Sequence, residues 1–534
     1  MKSNFKYIII LTISLFAFLS CTDLDENLYS DITTQNYEYT QENIKSIIGP
    51  VYSNLRTVYN YTNFLGMQEV SADAVAQPAN ASGWYDGGRY IIMHQHKWTS
   101  DQTHTRSIWS NLWAGVTHAN RIIDNVNNDI TFTDESLKSV LLAEMKSARA
   151  YYYWLLMDNY GDVPVVTDET EEEFPAKKSR AEVYQYIVDE LNEAMPSLSE
   201  SNESVMYGRF NKWAAKALLA NVYLNAGVYT GTAQWANCIT QCNDIINSNK
   251  YALEGNYSDA FGPDRMSSSE MILGLQYDEI LANGTMHQPA YHDGARPKYK
   301  TRFGFYGAGS LKAVPQFINT YDTTDLRLYH TWEMGLQLTP EGDTCRCTYE
   351  KDGEPLIYTK EIKDGLYTGE NEGYRMAKFP LLQGASGLTT TYPLFRYSEV
   401  LMMKAECLLR TDKADEAAAI ISNVRARAFE DTEKALVSGD ELQEDTKYNY
   451  GYVENYKIVD PGNTDPVQFG RMYDELGWEF AYENHRRRDM IRFGVYTKKS
   501  WLSHKPNGDY RIVFPIPTEV VNANPNLDQN PDYK

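Results

Sequence analysis

The amino-acid sequence predicts a mainly α protein, a tetratricopeptide-like αα superhelix with long aromatic-rich loops and minor β structure. Two patterns carry that prediction. Apolar residues recur at helical spacing in several long segments, and these segments come in pairs. Between them run stretches rich in Gly, Asn, Asp and aromatic residues, roughly 66 to 105, 251 to 316 and 329 to 392. Such stretches are too long for plain turns and too rich in rings for disorder, so they read as functional loops. The 534 residues are 43% hydrophobic and 23% charged, with a mean hydropathy of -0.51. That balance excludes a polytopic membrane protein, a collagen-like chain and a largely disordered one.

At the N-terminus, Lys2 and Lys6 precede an apolar run from Tyr7 to Leu19. The run is shorter than the roughly 20 residues a spanning helix needs, so residues 1–20 read as a secretory signal. It stops at Ser20-Cys21, with Asp23, Asp25 and Glu26 just beyond. This resembles a bacterial lipoprotein cleavage site, where Cys21 becomes the first mature residue and takes acyl groups. Phe18 and Leu19 depart from the usual residues there, and ordinary signal cleavage with Cys21 incidental is the alternative. The net charge of -22 repels nucleic acid and anionic lipid alike. Anchoring therefore rests on lipid chains, and more than one acyl chain makes it stable.

Helices follow in order. Leu141, Met145, Ala148, Tyr152 and Leu155 form one stripe between Asp134 and Asn159, and Gly161-Asp162-Val163-Pro164 ends it. Ser179 with Glu182 makes a capping box, and Val183, Ile187, Leu191 and Ala194 share one side of the next helix before Pro196. From Arg209 to Ala226, Trp213, Ala217, Ala220 and Leu224 form a stripe whose small residues admit a close neighbour. The clearest pair runs from Arg396 to Arg410 with Val400, Leu401, Ala405 and Leu408, and then, after Thr411-Asp412-Lys413, through Ala417, Ile420, Val424 and Ala428. Its length is close to a tetratricopeptide unit. Such pairs bury their stripes only by stacking, which builds a superhelical frame. Short strands are expected around Tyr90 to Met93 and Met271 to Leu273.

Beyond Cys21, five cysteines remain: Cys238, Cys242, Cys345, Cys347 and Cys407. An odd count over so long a chain is no disulfide framework. Cys238 and Cys242 lie at i, i+4 in a helical stretch, and Cys345 and Cys347 are a local bridge or a pair of free thiols.

Several segments together resemble the SusD/RagB family of outer-membrane nutrient-binding lipoproteins. Leu142 to Pro164, LAEMKSARAYYYWLLMDNYGDVP, is similar to that family's tyrosine-rich helix and Gly-Asp-Val-Pro turn. Arg396 to Glu406, RYSEVLMMKAE, with Asn423 to Ala428 after it, resembles a second family helix. Glu479 to Gly494, EFAYENHRRRDMIRFG, resembles its Arg-rich helix, and Phe514 to Pro517 through Asn524 to Pro531 resembles its C-terminal end. The resemblance spans the chain in the family's order. It implies a single SusD-like domain over 21–534, with an N-terminal part of about 21–250 and a C-terminal part of about 270–534. It further implies a surface-exposed lipoprotein that captures oligo- or polysaccharide and passes it to a SusC-like TonB-dependent transporter. A minority of the family bind peptides, and the acidic residues after Cys21 fit a surface-export signal.

The signatures of catalysis are missing: there is no His-Glu-x-x-His, no Gly-x-Ser-x-Gly, no phosphate-binding loop and no Cys-x-x-Cys. No catalytic residue, cofactor or metal ligand is assigned. GFYGAG at 304–309 reads as a turn. His94, His96 and His104 have a spacing that arises readily by chance. The many acids leave a carboxylate pair for glycoside cleavage open, since the fold sets its separation, and a plain helical scaffold is the other rival. The cluster Glu483, His485, Arg486, Arg487, Arg488 and Asp489 is either an anion site or a structural ion-pair network, and its helical setting favours the network.

Glycan capture needs flat rings and hydrogen-bonding groups on a preformed surface. Tyr (41) and Trp (10) taken together far outnumber Phe (18), so the ring excess carries polar edges that tolerate water. Trp109, Trp113, Trp154, Trp213, Trp235 and Trp478 fall in helical stretches and read as core. Trp84, Trp98, Trp332 and Trp501 lie in irregular segments. Trp84 leads, because Ser82-Gly83 and Gly87-Gly88 leave the Trp84-Tyr85 dipeptide little local cover; Trp98 reads equally as a strand-edge core ring. The family resemblance places ligand contacts in Asp73 to Trp98 and Tyr291 to Trp332, which adds Asp73, Arg89, Tyr291, Arg296 and Tyr306. A few ring contacts and hydrogen bonds correspond to a dissociation constant between roughly 1 mM and 1 μM. Such a grip is releasable, and avidity along a polymer supplies retention.

Overall fold

In the computed structural model, the described residues are 44–128, 132, 134–168, 174–263, 265–286, 288–301, 307–385 and 387–533. The signal segment, Cys21 and Tyr306 lie outside them. The longer helices are α1 (Ile44–Val58), α2 (Thr103–Asn128), α3 (Glu135–Tyr160), α4 (Arg180–Ala194), α5 (Lys212–Leu224), α6 (Trp235–Asn247), α7 (Tyr397–Leu409), α8 (Ala414–Arg425), α9 (Gly470–Phe480) and α10 (Arg486–Arg492). Neighbours stack in sequence: α1 on α2, α2 on α3, α3 on α4, α5 on α6, α6 on α7 and α7 on α8. The fold is mainly α and tetratricopeptide-like, as the paired stripes require. Among the described residues no helix is long and apolar enough to cross a membrane.

Local chemistry sets the helix bounds. Asp134 accepts from the Ser136 and Leu137 amides and so starts α3. Ser179 and Glu182 complete their capping box at the head of α4. The helix expected from Arg209 starts instead after Asn211, whose side chain accepts from the Trp213 and Ala214 amides. Gly115 on α2 faces the Tyr152 ring of α3 so closely that a methyl group there would collide with it. That missing side chain lets the two long helices approach.

The strand expected around Tyr90 to Met93 is a helical turn, Arg89–His94. Asp86, Gly87 and Gly88 all take left-handed φ values of 49, 64 and 73°, a run that glycine makes accessible and that turns the chain abruptly. Tyr90, Met93 and His94 then bury one helical face. The expected strand at Met271 does form, as Met271–Leu275 paired antiparallel with Tyr392–Arg396.

The loop layer is tied to the frame by buried ion pairs. Asp73 and Arg486 pair at 2.6 Å, Arg487 meets Asp158 at 2.9 Å, and Arg396 joins Glu270, Glu479 and Glu483. Arg327 holds Asp325 and Glu475. The Arg-rich segment 483–489 is therefore a structural network and not an open anion site. Removing one partner from such a buried pair costs about 3–5 kcal/mol. Cys238, Cys242, Cys345, Cys347 and Cys407 are buried free thiols.

Candidate ligand-binding surface

Three loops of the layer meet at one surface. The first, residues 79–89, is clipped at its base twice: Val75–Ala76 pairs antiparallel with Lys312–Ala313, and Ala79–Asn80 pairs parallel with Tyr367–Thr368. Above the clip Asn80 organises a tight turn. Its carboxamide oxygen accepts from the Ser82 amide at 3.0 Å and hydroxyl at 2.7 Å, and its backbone N–H donates to the Trp84 carbonyl at 3.1 Å. Trp84 stands half-buried on this turn, its ring 5.6 Å from that of Tyr90. Tyr85 beside it is 55% exposed.

The second loop carries Asp293 and Arg296. The Asp293 amide donates to the Gly307 carbonyl at 2.9 Å, and its carboxylate takes the Arg296 guanidinium at 2.9 and 2.7 Å. The third is the turn 347–351, fixed from below by the buried Glu370. One carboxylate accepts from the Thr348 amide at 2.6 Å and from the Tyr349 and Lys351 amides at 3.0 Å. Tyr349 donates its hydroxyl to Asp293. Burial, reinforced by that bond, raises its phenol to about 12, so it stays a neutral donor. Tyr367, 47% exposed, donates to Glu350 at 3.1 Å.

Gly307 is where the loops converge: a methyl group on it would strike the Ser82 hydroxyl and lie 3.6 Å from that of Tyr349. Trp84, Tyr85, Tyr349 and Tyr367 thus stand on loops that meet here, together with the polar groups Asp86, Arg89, Asp293, Arg296 and Glu350. Asp86 and Arg89 pair at 2.9 Å, and burial raises the Asp86 carboxyl against the pull of Arg89.

Of the residues expected here, the structure brings Trp84, Tyr85, Arg89 and Arg296 to this surface and removes four others. Asp73 is fully buried, held by Arg486 and by the hydroxyls of Tyr450 and Tyr473 at 2.8 Å each. Every oxygen is taken, so it has nothing left for a ligand. Trp98 is 1% exposed, packed on Phe514 and donating to the Tyr533 hydroxyl at 2.8 Å; its alternative reading as a core ring is the correct one. Trp332 is 1% exposed, against Tyr482 and Phe317. Tyr291 is buried beside Tyr299, with its hydroxyl on the Phe379 carbonyl at 3.3 Å. Trp501, expected in an irregular segment, lies on the strand Trp501–Leu502, buried and bonded to the Ala72 carbonyl. Among the described residues, His94 and His96 pack near Trp501 while His104 lies on Tyr90, and no group of three His, Cys, Asp or Glu is arranged to hold a metal ion.

The sequence reading missed Asp86, Asp293, Tyr349, Glu350 and Tyr367. A signal for the first two was present. Asp86-Gly87-Gly88-Arg89 and Asp293-Gly294-Ala295-Arg296 share one spacing, and both fold as a 3-10 turn leading into a helix that begins at the arginine.

A concavity of about 550 Å³ lies between α2 and the C-terminal segment, lined by Trp109, Trp113, Val116, Phe174, Val520 and Leu527 among others. Its amides are committed: Asn120 bonds the Val166 carbonyl and Arg149, and Asn524 bonds the Pro175 carbonyl and the Asn526 amide. Thr117, Glu519 and the unpartnered Trp113 Nε1 also face it, but its lining is mainly apolar, which suits hydroxyl-rich ligands less well than the tyrosine-bearing loops.

Comparison with known proteins agrees with this architecture. A family model described as "SusD family" matches residues 291–533, and one described as "Starch-binding associating with outer membrane" matches residues 24–224. The chain is 26% identical to the starch-binding protein SusD of Bacteroides thetaiotaomicron over 486 residues, 82% of this chain and 80% of that one. It is 23% identical to SusD-like protein P25 of Formosa agariphila over 97% of both. Among solved structures, a SusD superfamily protein from Parabacteroides distasonis superposes with a TM-score of 0.69 at 20% identity, covering 93% of this chain and all of that one. A laminarin-binding SusD-like protein does so at 0.66 and 20%, with the same coverage. Matched across both its N-terminal and C-terminal parts, the chain belongs to the SusD/RagB family.

Proposed function

We propose that the protein captures an oligosaccharide on the surface formed by Trp84, Tyr85, Tyr349 and Tyr367, at the cell exterior, and releases it unchanged to a SusC-like TonB-dependent transporter. The observation that carries this reading is the convergence of three rigidly clipped loops that present rings together with hydroxyl-binding groups. Pyranose C–H faces lie on indole and phenol rings, while hydroxyls find acceptors in Asp86, Asp293 and Glu350 and donors in Arg89, Arg296 and the tyrosine hydroxyls. The starch-binding relative supports the ligand class. The family description as associating with the outer membrane supports the location. Acylation at Cys21 then supplies the anchor. The reaction class is capture and release, with no bond made or broken.

A panel of polysaccharides cast into native gels tests this. Retarded migration without new reducing ends is the expected result. New reducing ends would make the protein a hydrolase, and unretarded migration across the panel would remove the glycan reading.

A further inference from the structure

We infer that this surface selects uncharged glycans and rejects those bearing uronate or sulfate groups; the inference rests on the glycan reading above. Two guanidinium groups, Arg89 and Arg296, stand on the first two loops, with the exposed Lys351 on the third, and a surface built for acidic sugars would hold its guanidinium groups open toward the ligand. Here each is claimed in advance by the aspartate three residues before it. Arg89 lies 2.9 Å from Asp86, with side chains 33% and 25% exposed. Arg296 takes Asp293 through Nε and Nη2 at 2.9 and 2.7 Å, with side chains 41% and 24% exposed. The arrangement recurs in two loops far apart in sequence, each time as Asp-Gly-Gly or Asp-Gly-Ala ahead of the arginine.

Each pair still offers a carboxylate acceptor beside guanidinium donors, which is what a hydroxyl needs. An anionic sugar gains nothing from a cation already neutralised, and it meets two aspartates plus Glu350, whose carboxylate is held by Tyr367. The chain's net charge of -22 adds repulsion at longer range. Asp86 and Asp293 are therefore specificity-determining residues that mask the two arginines.

Native gels containing a neutral glucan, polygalacturonate or carrageenan test this, run at ionic strengths of about 0.05 and about 0.5 M, across which exposed charges become screened. Wild-type protein is expected to be retarded by the neutral polymer equally at both, and not by the acidic ones. The double variant Asp86→Asn, Asp293→Asn removes the neutralising carboxylate from beside both arginines and is expected to gain at least tenfold in retention on polygalacturonate, with the gain lost at high salt. Asp86→Asn alone, which leaves the Tyr349–Asp293 bond in place, is expected to move the same way by less. Wild-type retention by acidic polymers alone would overturn the inference while leaving glycan capture standing. Retention by neither class would overturn both. Variants that gain no acidic binding would show that the aspartates are not the mask.

Discussion

Trp84 and Trp332 both read from the sequence as rings in irregular segments, yet the fold treats them oppositely, placing Trp332 on a short strand paired with Arg375–Met376. Trp332 is 1% exposed between Tyr482 and Phe317, whereas Trp84 stands half-buried on the turn that Asn80 builds. Trp332→Ala is therefore expected to lower stability by about 3–5 kcal/mol, read as a fall in the urea midpoint. Trp84→Ala is expected to cost less stability and to weaken polysaccharide retention at least tenfold, about 1.4 kcal/mol of binding. Equal effects of the two substitutions on retention would contradict the assignment. The sequence separated helical rings from loop rings, but exposure does not follow from that division. The loop layer is thick enough to own a core, with the indole nitrogens of Trp98, Trp332 and Trp501 each satisfied inside it. Tyr349 and Tyr367 were illegible for a related reason: their placement depends on Glu370, 21 residues beyond Tyr349, and on pairing with residue 79 in the N-terminal half, contacts that no local pattern encodes.

Helices were the most legible elements, because a stripe of period 3.6 is a local property. The residues of α3 and α4, the capping box and the pairing of α7 with α8 all follow from nearby sequence. The turn at Arg89–His94 did not, since four apolar or aromatic residues in a row fit either element. The left-handed Asp86-Gly87-Gly88 run decides in favour of the helix. At this scale Gly115 is the sharpest test. Alanine is the better helix former by about 1 kcal/mol, so a helix considered alone gains from Gly115→Ala. The methyl group would collide with the Tyr152 ring, and overpacking costs about 1–3 kcal/mol. The substitution is expected to be neutral to destabilising, by up to about 2 kcal/mol in denaturant titration. A clear gain in stability would show that α2 and α3 are not so closely packed.

Over the whole molecule, buried titratable groups set the response to acid. Burial holds His94 at about 4, His104 and His292 at about 3, and His96, His485 and His504 well below 6.5. In the unfolded chain they titrate near 6.5, so between about pH 7 and pH 5 the unfolded state takes up protons that the folded state refuses, and stability falls as pH falls. Glu69 and Glu399, raised by burial to about 7, and Asp474, raised to about 6, work in the opposite direction over part of that window. The histidines outnumber them, so the melting temperature is expected to be lower at pH 5 than at pH 7 by calorimetry; a higher value at pH 5 would contradict this balance. The fold's rigidity matters because the surface gathers three loops from distant parts of the chain and must hold them in place before a weakly bound sugar arrives. The most direct test of that picture is a crystal soaked with the neutral oligosaccharide that performs best in the gels. The account expects sugar rings stacked on Trp84 and its neighbouring tyrosines, with hydroxyls on Asp86 and Asp293. Sugar seated instead in the Trp109 and Trp113 groove, with the tyrosine-rimmed surface bare, would contradict it.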